Sequence, residues 1–261
     1  MSKAAPKGDR SFDELAQHFS HKIYGKLKGK IRLAVLSRDL DDYLTSQSAP
    51  LNVLDIGAGL GQMSLFLAKK GHHCTINDLS DAMLAHAKTA ADEAGVTDRV
   101  RFLHCPYQAL PDALAGEQFD LILCHAVLEW LENPSEIMAF IDRHLKAGGA
   151  VSLAFYNPAS FVYRNLVMGN FNHLKSPKPA DRGSLTPNNP VDYDTVMGWF
   201  LAYGYPILAE SGIRTFHDYT THKRGGLAND DAVIEMELAF SQKMPYRLMG
   251  RYLHILAKKQ T

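Results

Sequence analysis

The sequence predicts an α/β fold, a mostly parallel sheet with helices on both faces. Three observations point to it. Short apolar runs suited to buried strands alternate with segments of helical periodicity. A glycine-rich turn, Gly57-Ala58-Gly59-Leu60-Gly61, closes the first such run and opens a helix. The chain has 261 residues, 46% of them apolar, enough for one large core.

The elements follow in order. Residues 1–10 are polar and read as a disordered start. A single domain is expected over 11–261, opening with a helical cap over about 11–46. Phe12, Leu15, Phe19 and Ile23 keep helical spacing, with Ser11 and Glu14 as a capping pair. Gly25 and Gly29 interrupt that pattern, and a second helix is expected from Lys30 to Leu44. The core strands are read at 51–57, 73–78, 100–105, 119–126 and 149–157. Helices between them stop at Gly71, Gly95 and Gly148–Gly149, the last pair forming a loop before the fifth strand. An insertion is expected over about 158–203: a helical stretch, a loop rich in Pro, Ser, Asn and Gly over 173–190, and a helix from Val191. A strand pair over 205–219, a helix over 230–242 and a last strand over 251–259 that ends the sheet complete the reading.

Charge and cysteine usage limit the function classes. Lys plus Arg equals Asp plus Glu at 28 each, so net charge supplies no general pull on a polyanion. The bases nevertheless gather in acid-poor runs at Gln17–Arg38, at Leu238 to the end and within Asn157–Pro190, which fits either solvated faces or a polyanionic partner. No segment reads as transmembrane or as a secretory signal, and the three cysteines form no Cys-x-x-Cys pair, so a reducing cytoplasm is expected. Of the twelve histidines, neither His18 with His21 nor His72 with His73 has neighbours completing a ligand set, and no metal is expected. Nothing in the sequence specifies an oligomer.

The glycine turn carries the chemistry. A dinucleotide fingerprint needs glycine or alanine at 62, where Gln62 stands, which weakens a dehydrogenase. Asp55 precedes the turn, and an acid there suits a cationic amino-acid ligand better than a pyrophosphate. Asp78 ends the second strand, where a carboxylate can accept both ribose hydroxyls; a helix-capping acid is the plainer alternative. Asp78-Leu79-Ser80-x-x-Met83 resembles the post-strand motif of class I methyltransferases. Cys105-Pro106-Tyr107-Gln108, Phe119 to Ala126 and Leu145 to Gly149 match that class further, in the right order.

Residues outside the common core narrow the match. They include Phe12-Asp13, Ile23-Tyr24-Gly25, His125 to Trp130, Phe155-Tyr156-Asn157, Gly169-Asn170-Phe171, Gly212 to Tyr219 and Gly250 to His254. The set, spanning Arg10 to Ala257, resembles the bacterial tRNA 5-carboxymethoxyuridine methyltransferase family. The resemblance implies a Rossmann-like class I methyltransferase fold with an insertion after strand five. It also implies S-adenosyl-L-methionine as cofactor and methyl-ester formation on a wobble-uridine carboxylate in a tRNA anticodon stem-loop. Cofactor contacts carry over to Arg32, Gly57, Ala58, Asp78, Tyr107, Gln108 and His125, beside Asp55, Gly59 and Leu79 of the same loops. Arg32 reads as a clamp on the methionine carboxylate, or more plainly as a phosphate-facing base. Ala58 and Tyr107 stand where the family carries glycine or alanine, so Tyr107 is expected to meet the adenine differently.

Expected catalytic residues are His125, Tyr156 and Asn157, at the ends of strands four and five. Arg214 or Arg251 orients the acceptor carboxylate, and Arg164 joins Lys26, Lys28, Lys30, Lys175, Lys178 and Arg182 against tRNA. Phe171 or Tyr219 stacks a base. Two other readings stay open at this point, a small-molecule carboxylate or phenol methyltransferase and a non-catalytic RNA-binding scaffold.

Overall fold

A computed structural model of the chain describes residues 26–176, 187, 189–220 and 224–260. The expectations for residues 1–25, Lys178 and Arg182 lie outside the described residues. Helix α1 (Leu27–Thr45) begins three residues earlier than the sequence suggests, with Gly29 buried inside it. An interior glycine costs about 1 kcal/mol of helix propensity. Burial of Leu27 and Ile31 on either side of Gly29 outweighs that.

Strands β1 (Asn52–Ile56), β2 (His73–Asp78), β3 (Val100–His104), β4 (Phe119–His125) and β5 (Leu145–Tyr156) alternate with helices. These are α2 (Gln62–Lys69), α3 (Asp81–Ala94), α4 (Leu110–Leu114) and α5 (Ile137–His144). α4 escaped the sequence reading because five residues around Pro111 show no period. Gly148–Gly149 is not a loop before β5 but an irregularity within it. The register with β4 shifts between Phe119 and Leu121. A side chain at Gly149 would come within 2.9 Å of the Asp120 carbonyl, so only glycine lets the two strands close there.

The seven strands are ordered β3-β2-β1-β4-β5-β7-β6. All pairings from β3 through β5 are parallel. Two expectations change at the far edge. The last strand, β7 (Tyr252–Lys258), does not end the sheet; it inserts antiparallel between β5 and β6 (Ile207–Ile213). The pair expected over 205–219 is the single strand β6. At Arg214 the backbone turns to φ +63° and leaves the sheet for a short turn at 217–219.

Period-two alternation sends Val53, Leu121, Leu123, Ala150 and Ala154 to one face, under α1, α2, α3 and α9 (Asp230–Phe240). Leu54, Ile122, Val151, Leu153 and Phe155 go to the other, under α4, α5 and α8 (Tyr193–Ala202). Helices α6 (Pro158–Val167) and α7 (Phe171–Lys175) form the insertion after β5. Among the described residues no helix is long and apolar enough to cross a membrane. Strand order reverses between β1 and β4, and a crevice opens beyond the strand ends at such a point.

Candidate active site

The glycine turn fills one wall of that crevice. Gly57, Gly59 and Gly61 have φ of +60°, +58° and +67°, a region that favours glycine. Gly57 also lies under Val127, whose Cγ2 would be 2.6 Å from an added Cβ. The turn is tied to the second strand: the Ala58 amide donates to the Asn77 carbonyl at 2.8 Å, and the Gly59 amide donates to Asp78 Oδ2 at 2.7 Å. The Ser80 amide donates to Asp78 Oδ1 at 2.8 Å. The Asp78 carboxylate is thus held from two sides at the tip of β2, and a carboxylate has about four acceptor sites in all. Asn77, which the sequence reading passed over, donates from Nδ2 to the Leu103 and Cys105 carbonyls and holds the tip of β3 alongside.

Asp55 is buried, and its Oδ2 accepts from Ser64 Oγ at 2.6 Å. Burial pushes its carboxyl up to about 7; the Ser64 hydrogen bond works against the rise and the Asp78 charge adds to it. Such a group gains from a cation placed beside it. Asp55 lines a narrow cleft with Arg32, Leu33, Ala58, Gln62 and His125. Arg32 reaches the cleft from α1, so the helix that covers one sheet face also supplies a guanidinium to the crevice. The cleft therefore offers a cation for a carboxylate and a carboxyl for an ammonium. That donor set fits an amino-acid zwitterion, with Asp78 placed for a sugar farther along.

Beyond the cleft, cations and phenol rings interleave. The Arg32 and Arg214 guanidiniums stack on the Tyr252 ring at 4.8 and 5.4 Å. Arg251 lies 4.8 Å from the Tyr156 ring, and the two tyrosines meet edge to face at 5.8 Å. Arg214 is paired with Asp218 at 3.3 Å, which Lys28 also approaches at 3.5 Å. Arg251 Nη1 is buried with no hydrogen-bond partner among the described residues. Glu129 is wholly buried, and burial raises its carboxyl to about 7 while its own backbone amide, the Arg32 charge and the Tyr156 backbone oppose the rise. In the sequence Glu129 stands within the His125–Trp130 stretch that carries the family resemblance, with no role of its own.

The other expected residues are placed as follows. Tyr107 packs edge-on against Phe140 at 5.9 Å in the core beneath α5. Gln108 follows in the same turn, and the Leu79 carbonyl meets His104 Nε2 at 3.1 Å. The Asn157 carboxamide holds backbone: Nδ2 donates to the Leu248 and Gly250 carbonyls at 2.8 and 2.9 Å, and Oδ1 caps α6 at Ala159. Its geometry is that of a brace for the β5–α6 turn. Arg164 donates to the Asp218 carbonyl at 3.3 Å and, with Arg251, Asn170 and Phe171, lines a separate cavity of about 570 Å³. Val162, Leu166, Val167 and Phe171 leave an exposed apolar face beside it. Tyr219 donates its hydroxyl to the Met249 carbonyl and meets Tyr163 edge-on at 5.1 Å.

A methyltransferase domain family matches residues 54–153. Over 253 residues the chain is 38% identical to the tRNA 5-carboxymethoxyuridine methyltransferases of Escherichia coli O157:H7 and Escherichia coli strain K12. The match covers 96% of this chain and 97% of each relative. Among solved structures, the [4+2]-cyclase SpnF superposes with a TM-score of 0.59 at 16% identity, over 99% of this chain and 100% of that one. At that identity the likeness speaks for the fold alone.

Proposed function

The chain belongs to the tRNA 5-carboxymethoxyuridine methyltransferase family, and from that membership we propose that it methylates the carboxylate of 5-carboxymethoxyuridine at the wobble position of tRNA, forming the methyl ester. When bound, S-adenosyl-L-methionine supplies a methyl group activated by a sulfonium. Arg32 holds the methionine carboxylate, Asp55 and the Gly57–Gly59 backbone hold the ammonium end, and Asp78 accepts the ribose hydroxyls. Leu79, Tyr107 and Gln108 border the adenine. The observation that carries this is the Asp78 carboxylate, fixed by the Gly59 and Ser80 amides beside a buried Asp55.

The acceptor needs no general base, because a carboxylic acid with a pKa near ~4 is already ionised at neutral pH. The protein's task is to hold oxygen, methyl and sulfur in line and to keep water from an anion whose charge shrinks as the bond forms. Arg251 and Arg214, which lie over the Tyr156 and Tyr252 rings beyond the cleft, orient the acceptor carboxylate. Tyr156 and His125 line the transfer site. The anticodon stem-loop lies over the insertion: Lys26, Lys28, Lys30, Arg164 and Lys175 face phosphates, and Phe171 or Tyr219 stacks a base. The cavity lined by both Arg164 and Arg251 supports this reading.

Mass spectrometry of tRNA nucleosides from cells lacking the protein tests the proposal. The expected result is loss of the wobble methyl ester with the free carboxylate accumulating; an unchanged ester content overturns it.

A further inference from the structure

A row of buried polar side chains leads away from His125. His125 on β4, Ala154 on β5 and His254 on β7 share one cross-strand row. Ser152 stands two residues before Ala154 and so points to the same face, the one covered by α1. Ala154 is small enough to leave space between the imidazoles, whose centroids are 6.0 Å apart. Both rings lean onto Ser152: His125 Nε2 is 2.8 Å from Ser152 Oγ, and His254 Nε2 is 2.8 Å from the same atom. His254 Nδ1 is 2.7 Å from Asp39 Oδ2 on α1. Asp39 Oδ1 accepts from Arg38 Nη2 at 2.6 Å and from Gln242 Nε2 at 3.1 Å. Ser152 and His254 are completely buried and Asp39 nearly so.

The donors in this row can be assigned by elimination. Burial works against ionisation of Asp39, yet its hydrogen bond with His254, the positive charge His254 can carry, a hydrogen bond from Ser211 and the Arg38 charge together hold its carboxyl below the ordinary value. An ionised carboxylate only accepts, so His254 Nδ1 carries a proton. Arg38 and Asp39 already form a matched ion pair at 2.6 Å, so the buried row carries no net charge with one proton on the His254 ring. His254 Nε2 therefore accepts from the Ser152 hydroxyl. That hydroxyl has one proton, so Ser152 Oγ must in turn accept from His125 Nε2–H. His125 is then left with a bare Nδ1, on a ring that lines the cleft beside Arg32 and Asp55.

We propose that Asp39, His254 and Ser152 form a relay that fixes the tautomer of His125, so that its bare Nδ1 accepts a hydrogen bond from the ammonium group of the cofactor's amino-acid end. Asp39, His254 and Ser152 are positioning residues: none lines the cleft, and each acts through the next. The proposal rests on the S-adenosylmethionine reading of the cleft. Arg32 binds the carboxylate end of the same zwitterion, so a donor at His125 Nδ1 would repel the ammonium where an acceptor attracts it.

Two measurements on the full chain test it. In nitrogen-15 histidine spectra of the wild type, His125, assigned by its loss in His125→Asn, should show a protonated Nε2 and a bare Nδ1. The opposite tautomer overturns the proposal, whether or not the cofactor binds. Ser152→Ala removes one hydroxyl from a packed site and tests the energetics without relying on a large core change. Calorimetry with S-adenosylmethionine should show about a tenfold weaker affinity, equivalent to ~1.4 kcal/mol, with the KM for tRNA unchanged. His254→Phe should act in the same direction and release Ser152 to donate to His125, reversing the tautomer. Unchanged affinity in Ser152→Ala, with the wild-type tautomer retained, overturns the relay. Failure of the wild type itself to bind S-adenosylmethionine sinks the cofactor reading instead, while the spectra still report on the relay.

Discussion

Replacing Asp55 with asparagine should stabilise the protein and weaken its cofactor binding, with a pH dependence that identifies the cause. The carboxyl rises from its ordinary 3.8 to about 7, chiefly through burial. Each tenfold change in the proton equilibrium is worth 1.36 kcal/mol, so ionising this group in the folded chain costs on the order of 4 kcal/mol. The folded-state pKa lies above the unfolded one. The unfolded chain therefore releases the proton first, and stability declines as pH rises from about 4 to about 7, then levels off. Asparagine keeps an oxygen to accept from Ser64, now 2.6 Å from Asp55 Oδ2, and carries no charge to bury. The gap between Asp55→Asn and wild type should be small at pH 4–5 and open to roughly 2–4 kcal/mol at pH 7.5. In a chain of this size that is about 5–10 °C in Tm. Thermal unfolding by circular dichroism at several pH values reads it directly. Added S-adenosylhomocysteine should narrow the gap, because its ammonium stabilises the ionised carboxyl in the wild type alone. A gap that stays constant from pH 5 to 8, or a variant that binds as tightly as wild type, would refute the reasoning.

Four further outcomes follow from the same geometry. Gly57→Ala forces φ +60° on a side-chain-bearing residue and drives Cβ to 2.6 Å from Val127; denaturant unfolding should show a loss of about 2–4 kcal/mol. Asp78→Asn should weaken S-adenosylmethionine binding by about one to two orders of magnitude in calorimetry while tRNA affinity is retained, since that carboxylate serves the ribose and not the tRNA. Arg251→Ala should slow single-turnover methyl transfer at least about tenfold, and Arg251→Lys should not restore it, because a lysine cannot reproduce the planar stack on Tyr156. Affinity for tRNA should fall linearly on a log–log plot against salt, and Lys175→Ala should lower the slope by about 1 in a filter-binding series; a flat response would point to a small-molecule acceptor.

How much of this was legible in the sequence depends on how local each feature is. β1, the glycine turn and α2 could be read because one continuous stretch encodes strand, φ > 0 turn and helix together, and Asp78 could be read because it ends the next strand. The sheet edge could not. Whether β7 ends the sheet or slips between β5 and β6 is decided by pairing with Ala150–Tyr156, about a hundred residues away, and apolar alternation is the same in either case. Gly29 misled for a related reason: its propensity marks a break, but burial against the sheet overrides it. Tyr156 and Asn157 are singled out by position alone, yet Tyr156 ends the strand while Asn157 caps the helix that follows. Tyr156 meets Arg251 and Tyr252, while Asn157 turns to the Leu248 and Gly250 carbonyls. The pairing of Asp39 with His254 has no local signal, the two being 215 residues apart on a helix and a strand that meet only in the folded chain. A site assembled this way has a consequence for engineering. Substitutions on the buried face of α1 should alter cofactor affinity through His125 even where they touch no ligand, so the helix that completes the core is also part of the machinery.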